Sequence, residues 1–366
     1  MPRELGAPEM EAALAGGAIL AAGGGGWAEH GRVLGTAAIH CGRPVLMHPD
    51  ELPDSAIIAT AAAIGAPGDQ TAWEMLAVDY VRAAQLLEHE FGRKIDGFMV
   101  GQNGMSSTLN GWLPAVMMKA VVLDAVGDIR AHPSGDMGSM GMHRDPTPTI
   151  QTVAGGNRAE GRYIELVTRG ATAMVSPILR TAGHMSGGFI ASCRNPVTNG
   201  FVKKNAAVGG ISYALALGEA ILAARPAQDG KGGGRAVIEA ICAHTRGRIL
   251  AEGAARREAM AYTEAAYDVG RFAVGEVVLH LMNEWIAVEA GGERLATFPD
   301  VITTLDAETG APVSAGRIRE GQRLCVLHIP ASEVPLAPAL LDHGLYPIVE
   351  AALEIEVIRY LPEPRA

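Results

Sequence analysis

Apolar residues recur along this chain in two rhythms. Up to about residue 225, segments with apolar positions three and four apart alternate with short, solidly apolar runs, the pattern of helices alternating with buried strands. Helical spacing predicts a helix over residues 8–20 that runs into Gly23, Gly24, Gly25 and Gly26, followed by a second apolar piece holding Val33, Leu34 and Ile39. Short buried strands are expected at 45–47 and 57–60. The strongest helical signal covers 71–91, where Trp73, Leu76, Ala77, Tyr80, Ala84 and Leu87 share a face and Gly92 supplies a stop. Residues 95–100 then read as strand, 109–119 as helix, 120–123 as a buried strand ending at Asp124, and 206–224 as a helix that Asn205 would cap. This alternation predicts an α/β fold, a mostly parallel sheet with helices on both faces.

Beyond the turn-rich segment 225–235 the rhythm shortens. Apolar runs at 276–282, 285–289, 295–297, 301–305 and 324–329 are separated by Gly291-Gly292, by 306–310 and by Glu320-Gly321. Short strands joined by tight turns predict a small β-barrel or sandwich, and 354–359 alternates like a strand with one wet face. The expected organisation is an α/β domain over 1–165 and an α+β domain with the barrel portion over 166–366.

Composition narrows the partner. With 366 residues, 48% hydrophobic and 19% charged, the chain can bury a large core. Forty acidic against thirty basic side chains give a net charge of −10, and the cations form no stripe, which argues against a nucleic-acid or anionic-membrane surface. A small-molecule substrate is expected, handled by a homo-oligomer. Cys41, Cys193, Cys242 and Cys325 lie far apart without a CxxC pair, as in a reduced cytoplasm. The acids Glu4, Glu9 and Glu11 stand where a signal peptide carries basic residues, and no run approaches the roughly 20 apolar residues of a membrane helix.

Candidate chemistry concentrates in residues 121–143, where an apolar run empties into a glycine-rich loop with Asp124, Asp128, Arg130, His132, Asp136 and His143. A hydrolase needs an activated water and positive charge where an anion develops. Asp124 or Asp128 as general base with Arg130 as stabiliser would supply both, as would a zinc ion on His132 and His143. Arg130 pairing with Asp128 in an ordinary charged loop is the plainer alternative. Met137, Met140 and Met142 in the same loop read as adaptable packing. Gly24 and Gly25 suit backbone contact with a substrate; a phosphate loop would need a lysine after the glycines, and the first lysine is Lys94. Gln102 and Asn103, just past a strand, can donate to and accept from a polar ring or form a turn. Arg194 or Lys203 can receive a carboxylate. Cys193 reads as a buried, inert thiol.

These motifs resemble, nearly end to end, the S-methyl thiohydantoin desulfurase family, related to hydantoinase and oxoprolinase. The resemblance is carried by the helix into Gly23 to Gly26, Gly65-Ala66-Pro67, the QNG segment at Gln102, the strand to Asp124 followed by Arg130-Ala131-His132-Pro133, and the late Pro299-Asp300-Val301-Ile302 with LDAETG from Leu305. It implies two domains, the second with a β-barrel portion, and hydrolysis of a sulfur substituent from a five-membered urea-like ring. Zinc is implied by related desulfurising enzymes. The chain departs from the family pattern at Gln102, Asn103 and Val126, where acids are usual. The alternatives are a nucleotide-dependent ring-opening subunit and a non-catalytic partner subunit.

Overall fold

The computed structural model describes residues 2–65, 72–225, 233–262 and 267–361, which build two sheets. The first half runs β1 (Arg3–Glu4), α1 (Ala7–Leu20), α2 (Ala28–Cys41), β2 (Val45–Met47), β3 (Ile57–Gly65), α3 (Ala77–Phe91), β4 (Gly97–Gln102), α4 (Trp112–Met117) and β5 (Val121–Asp128). It continues through β6 (Thr149–Gly155), β7 (Ile164–Gly170), α5 (Thr172–Met185), β8 (Phe189–Thr198), α6 (Asn199–Asn205), β9 (Ala207–Val208) and α7 (Gly210–Ala224). Its strands lie in the order β1-β2-β5-β4-β3-β8-β6-β7, with β9 beside β5. The block β2-β5-β4-β3 is parallel, and β8, β6 and β7 extend it antiparallel.

Helices cover both faces, as the solidly apolar strands require. Phe98, Val100 and Val122 point into a core shared with α1, α2, α3, α4 and α7, whereas their neighbours Met99 and Leu123 pack on α6. Val153 and Ile190 meet α5 on that second face. Helix α1 is buried along nearly all its length and crosses α7 through glycines. A methyl group on Gly16 would stand 1.9 Å from the carbonyl oxygen of Ala214, and one on Gly218 would stand 1.8 Å from that of Ala12.

After α8 (Gly234–Thr245) come β10 (Arg248–Tyr262), β11 (Asp268–Val274), β12 (Val277–Met282), β13 (Glu284–Ala290), β14 (Glu293–Thr297), β15 (Val301–Asp306), β16 (Arg323–Ile329) and α9 (Pro347–Leu353). All these strands are antiparallel, in the order β14-β13-β12-β11-β10-β16-β15. Long β10 pairs with β16 through its first half and with β11 through its second. The sheet curls into a half-barrel around Phe272, Leu279, Trp285, Val288, Ile302 and Val326, and Trp285 Nε1 donates across it to Thr304 Oγ1 at 3.3 Å. No helix among the described residues is long and apolar enough to cross a membrane.

Several boundaries differ from the pattern in the sequence. The helix expected from residue 71 starts at Ala77, because the Asp79 carboxylate accepts the Leu76 N–H at 2.8 Å and fixes the first turn there. The helix expected over 109–119 divides into a 3-10 turn, Ser107–Leu109, and the short α4. Asn205 closes α6, with its amide on the Phe201 carbonyl; the two-residue β9 intervenes and Gly209, at φ 81°, opens α7. The strand expected at 354–359 does not form, since one Glu350 oxygen accepts the Val357 and Ile358 N–H groups and winds the chain into a 3-10 turn. Residues 226–232 of the expected loop lie outside the described residues.

Gly218→Ala should lower stability by about 1–3 kcal/mol despite alanine's better helix propensity, because the obstruction is backbone. Calorimetry would register this as a lower Tm; an unchanged Tm would mean that α1 and α7 part freely.

Candidate active site

The C-terminal ends of the parallel strands β3, β4 and β5 open into a cavity of about 910 Å³, the edge at which open α/β sheets place ligands. Its walls are the Gly23 to Gly26 loop with Trp27, the strand ends at Ile64, Gly101 and Gln102, and the loop from His132 to Asp136. Helix α5 contributes Ser176, Arg180 and His184, β8 contributes Phe189 and Arg194, and the half-barrel contributes Tyr267, Asp268, Asn283 and Glu284.

The glycine loop is where the two sheets touch. Gly23, Gly25 and Gly26 take positive φ, which turns the chain sharply out of α1. The Ala22 carbonyl accepts from Trp285 N–H at 2.8 Å and that of Gly23 from Ala315 N–H at 3.0 Å. A side chain on Gly24 would run into the Glu284 carboxyl, 2.3 Å from Oε1.

Past the end of β5, His132 lines the cavity with its Nδ1 3.3 Å from Asp128 Oδ2. The separation is that of an ion pair, although the angle misses a hydrogen bond. Asp128 is fully buried, its Oδ1 accepts Arg130 N–H, and Gln102 Oε1 accepts His132 N–H at 3.1 Å. The result is an imidazole backed by a carboxylate and tethered at its backbone.

Residues 9–160 match the S-Me-THD-like N-terminal domain, and residues 171–344 match the S-Me-THD-like C-terminal domain. The chain belongs to the S-Me-THD-like family. A protein of Chromobacterium violaceum with a known crystal structure shares the fold at a TM-score of 0.67 and 23% identity, over 97% of this chain and 96% of that one. No protein of curated description matches the chain.

Within this S-Me-THD-like chain, Gly24, Gly25, Gln102, His132 and Arg194 stand at the cavity, with Asp128 behind His132. Five other expected residues do not line it. Asp124 accepts the Ile211 and Ser212 N–H groups and the Ser212 hydroxyl, so it holds the start of α7. Arg130 turns away to donate to the carbonyls of Ala131, Trp285 and Asp300, beneath the Phe298 ring. Asn103 ties the Ile129 and Gly210 carbonyls together, and Lys203 pairs with Asp54 and Asp50 near the surface. His143 gives its Nε2 to Asp342 at 2.8 Å.

His132 and His143, the expected zinc ligands, do not form a metal cluster. Asp342 engages His143, Asp128 faces His132, and among the described residues no group of three or more His, Cys, Asp or Glu side chains gathers as a metal site.

Sequence reasoning missed α5 and the half-barrel as cavity walls. One signal was present: Glu284 interrupts the apolar runs of β12 and β13, where an acid is out of place unless the fold uses it. Burial pushes the Glu284 carboxyl up to about 8, against the opposing pull of Arg130 and Arg180. It also raises Asp136 and Asp268 and lowers Arg194, whose drop Asp136 partly offsets. The buried Cys193 thiol is pushed far up and is unreactive.

Two outcomes are expected. Asp124→Ala should cost about 1–3 kcal/mol by stranding α7's first N–H groups, measured by denaturant unfolding, with the cavity unchanged. For Glu284 the folded pKa lies above the ordinary carboxyl value of about 4.5, so its neutral form adds stability below about 4.5 that is lost as pH rises through about 8. Glu284→Gln should flatten that decline in unfolding curves taken from pH 5 to 9, and an equal slope in both proteins would refute the assignment.

Proposed function

We propose that the chain is a hydrolase of small thiohydantoin- or hydantoin-like rings, with water attacking the carbon between the two ring nitrogens and a thiol leaving. Membership of the S-Me-THD-like family supports the substrate class. The observation that carries the reading is the buried Asp128 behind His132 at the mouth of β5.

In this arrangement Asp128 stays a carboxylate facing the Nδ1 side of His132, which favours the tautomer with its proton on Nδ1 and leaves Nε2 to accept one from water, so the base is His132 and not Asp124. The water oxygen bonds to the ring carbon, the intermediate collapses with loss of thiolate, and the imidazolium returns the proton to sulfur. Thiolate leaves readily near neutral pH. Arg194 is buried at the cavity wall, its Nε has no hydrogen-bond partner among the described residues, and its guanidinium suits an anionic group on the ring substituent.

Thiol release from a panel of S-alkyl thiohydantoins, followed with a thiol reagent, tests the proposal. His132→Ala should lower kcat/KM by about 10²–10⁴-fold, with Asp128→Asn also impaired. A His132→Ala protein as fast as the parent would remove the imidazole from the mechanism, and a parent inactive on the whole panel would remove the substrate class.

A further inference from the structure

Resting on the ring-hydrolysing reading above, we infer that the half-barrel supplies a catalytic group of its own: the carboxylic acid of Glu284, donating a hydrogen bond to the ring nitrogen on which negative charge collects.

The placement comes first. Glu284 opens β13 at the tight turn after β12, lines the cavity, and is 4% exposed. Its Oε2 has no hydrogen-bond partner among the described residues, an expensive condition for a buried polar atom unless something in the cavity meets it. Its position is fixed from both sides of the joint, because the next residue, Trp285, gives its N–H to Ala22 and its carbonyl to Arg130. The loop opposite has a glycine where any side chain would strike this carboxyl. A carboxyl held this closely against a cavity, with its inner oxygen met by no protein donor among the described residues, is arranged for a ligand rather than for packing.

Its charge state suits a donor. The groups acting on it are Arg130 and Arg180, which favour the anion, and Asp128 and Asp268, which oppose it; burial, with the two aspartates, outweighs the arginines, and the acid form predominates at neutral pH. A neutral carboxyl can donate where a carboxylate cannot. Water adding to the ring carbon pushes an electron pair onto the adjacent nitrogen, and a hydrogen bond there lowers the barrier without transfer of the Glu284 proton. His132 takes the proton of water. Collapse of the intermediate re-forms the carbon–nitrogen π bond and expels thiolate.

The test compares kcat/KM of the wild type, Glu284→Gln and Glu284→Ala from pH 6 to 9.5 on an S-methyl thiohydantoin, together with calorimetric binding of hydantoin. The wild type should lose activity above about pH 8. Glu284→Gln, which keeps a donor and cannot ionise, should stay within about tenfold of the wild type at neutral pH and lose that alkaline fall. Glu284→Ala should drop by about 10²–10³-fold. With unfolding curves showing both proteins folded across this range, a purely structural carboxyl would leave the alkaline fall in place in Glu284→Gln, which overturns the assignment, as does a fully active Glu284→Ala. If the alanine protein fails to fold, the glutamine profile decides. A wild type that neither binds hydantoin nor turns over the ring overturns the substrate reading and this one together, whereas turnover with an unaltered glutamine profile overturns only the role of Glu284.

Discussion

The architecture depends on the buried guanidinium of Arg130. It leaves the end of β5, donates to the carbonyls of Trp285 and Asp300 in the half-barrel, and lies over the Phe298 ring, with its centre 4.7 Å from the ring centroid. Burial pulls it down to about 10, so it remains a cation at neutral pH, with Asp128 and Asp300 compensating the desolvation. Taking a guanidinium out of water costs several kcal/mol unless its donors are met. Carbonyls of both sheets meet them here, so the two halves of the molecule are held in one register.

That register makes the cavity. Its floor is the carboxyl edge of the parallel strands and its roof is the turn at Asn283 and Glu284, so neither sheet alone presents a complete set of groups. Asp128 serves both tasks: one oxygen accepts from the backbone of Arg130 and the other faces His132. Joint and site share a carboxylate, which explains why the charged residues after β5 cluster so densely in the chain.

Much of the fold was legible, because solid apolar runs and helical spacing are local properties. The helices on both faces, the parallel block and the change to short antiparallel strands all follow from them. Local pattern failed where a side chain overrode it, as with Asp79 at Leu76 or Glu350 beneath the expected last strand. The site was half legible for a related reason. Spacing could show that Asp124, Arg130 and His132 share a loop, but which way each side chain turns depends on partners at Ser212, Asp300 and Asp128. Two of those three partners lie more than eighty residues away.

The contact between Gly24 and Glu284 has an evolutionary consequence. Since a β-carbon at one position would occupy the space of the carboxyl at the other, the two sites cannot drift separately. A descendant that acquires alanine at 24 keeps this joint only if position 284 has already shortened, so the pair is expected to covary among homologues in that order of replacement.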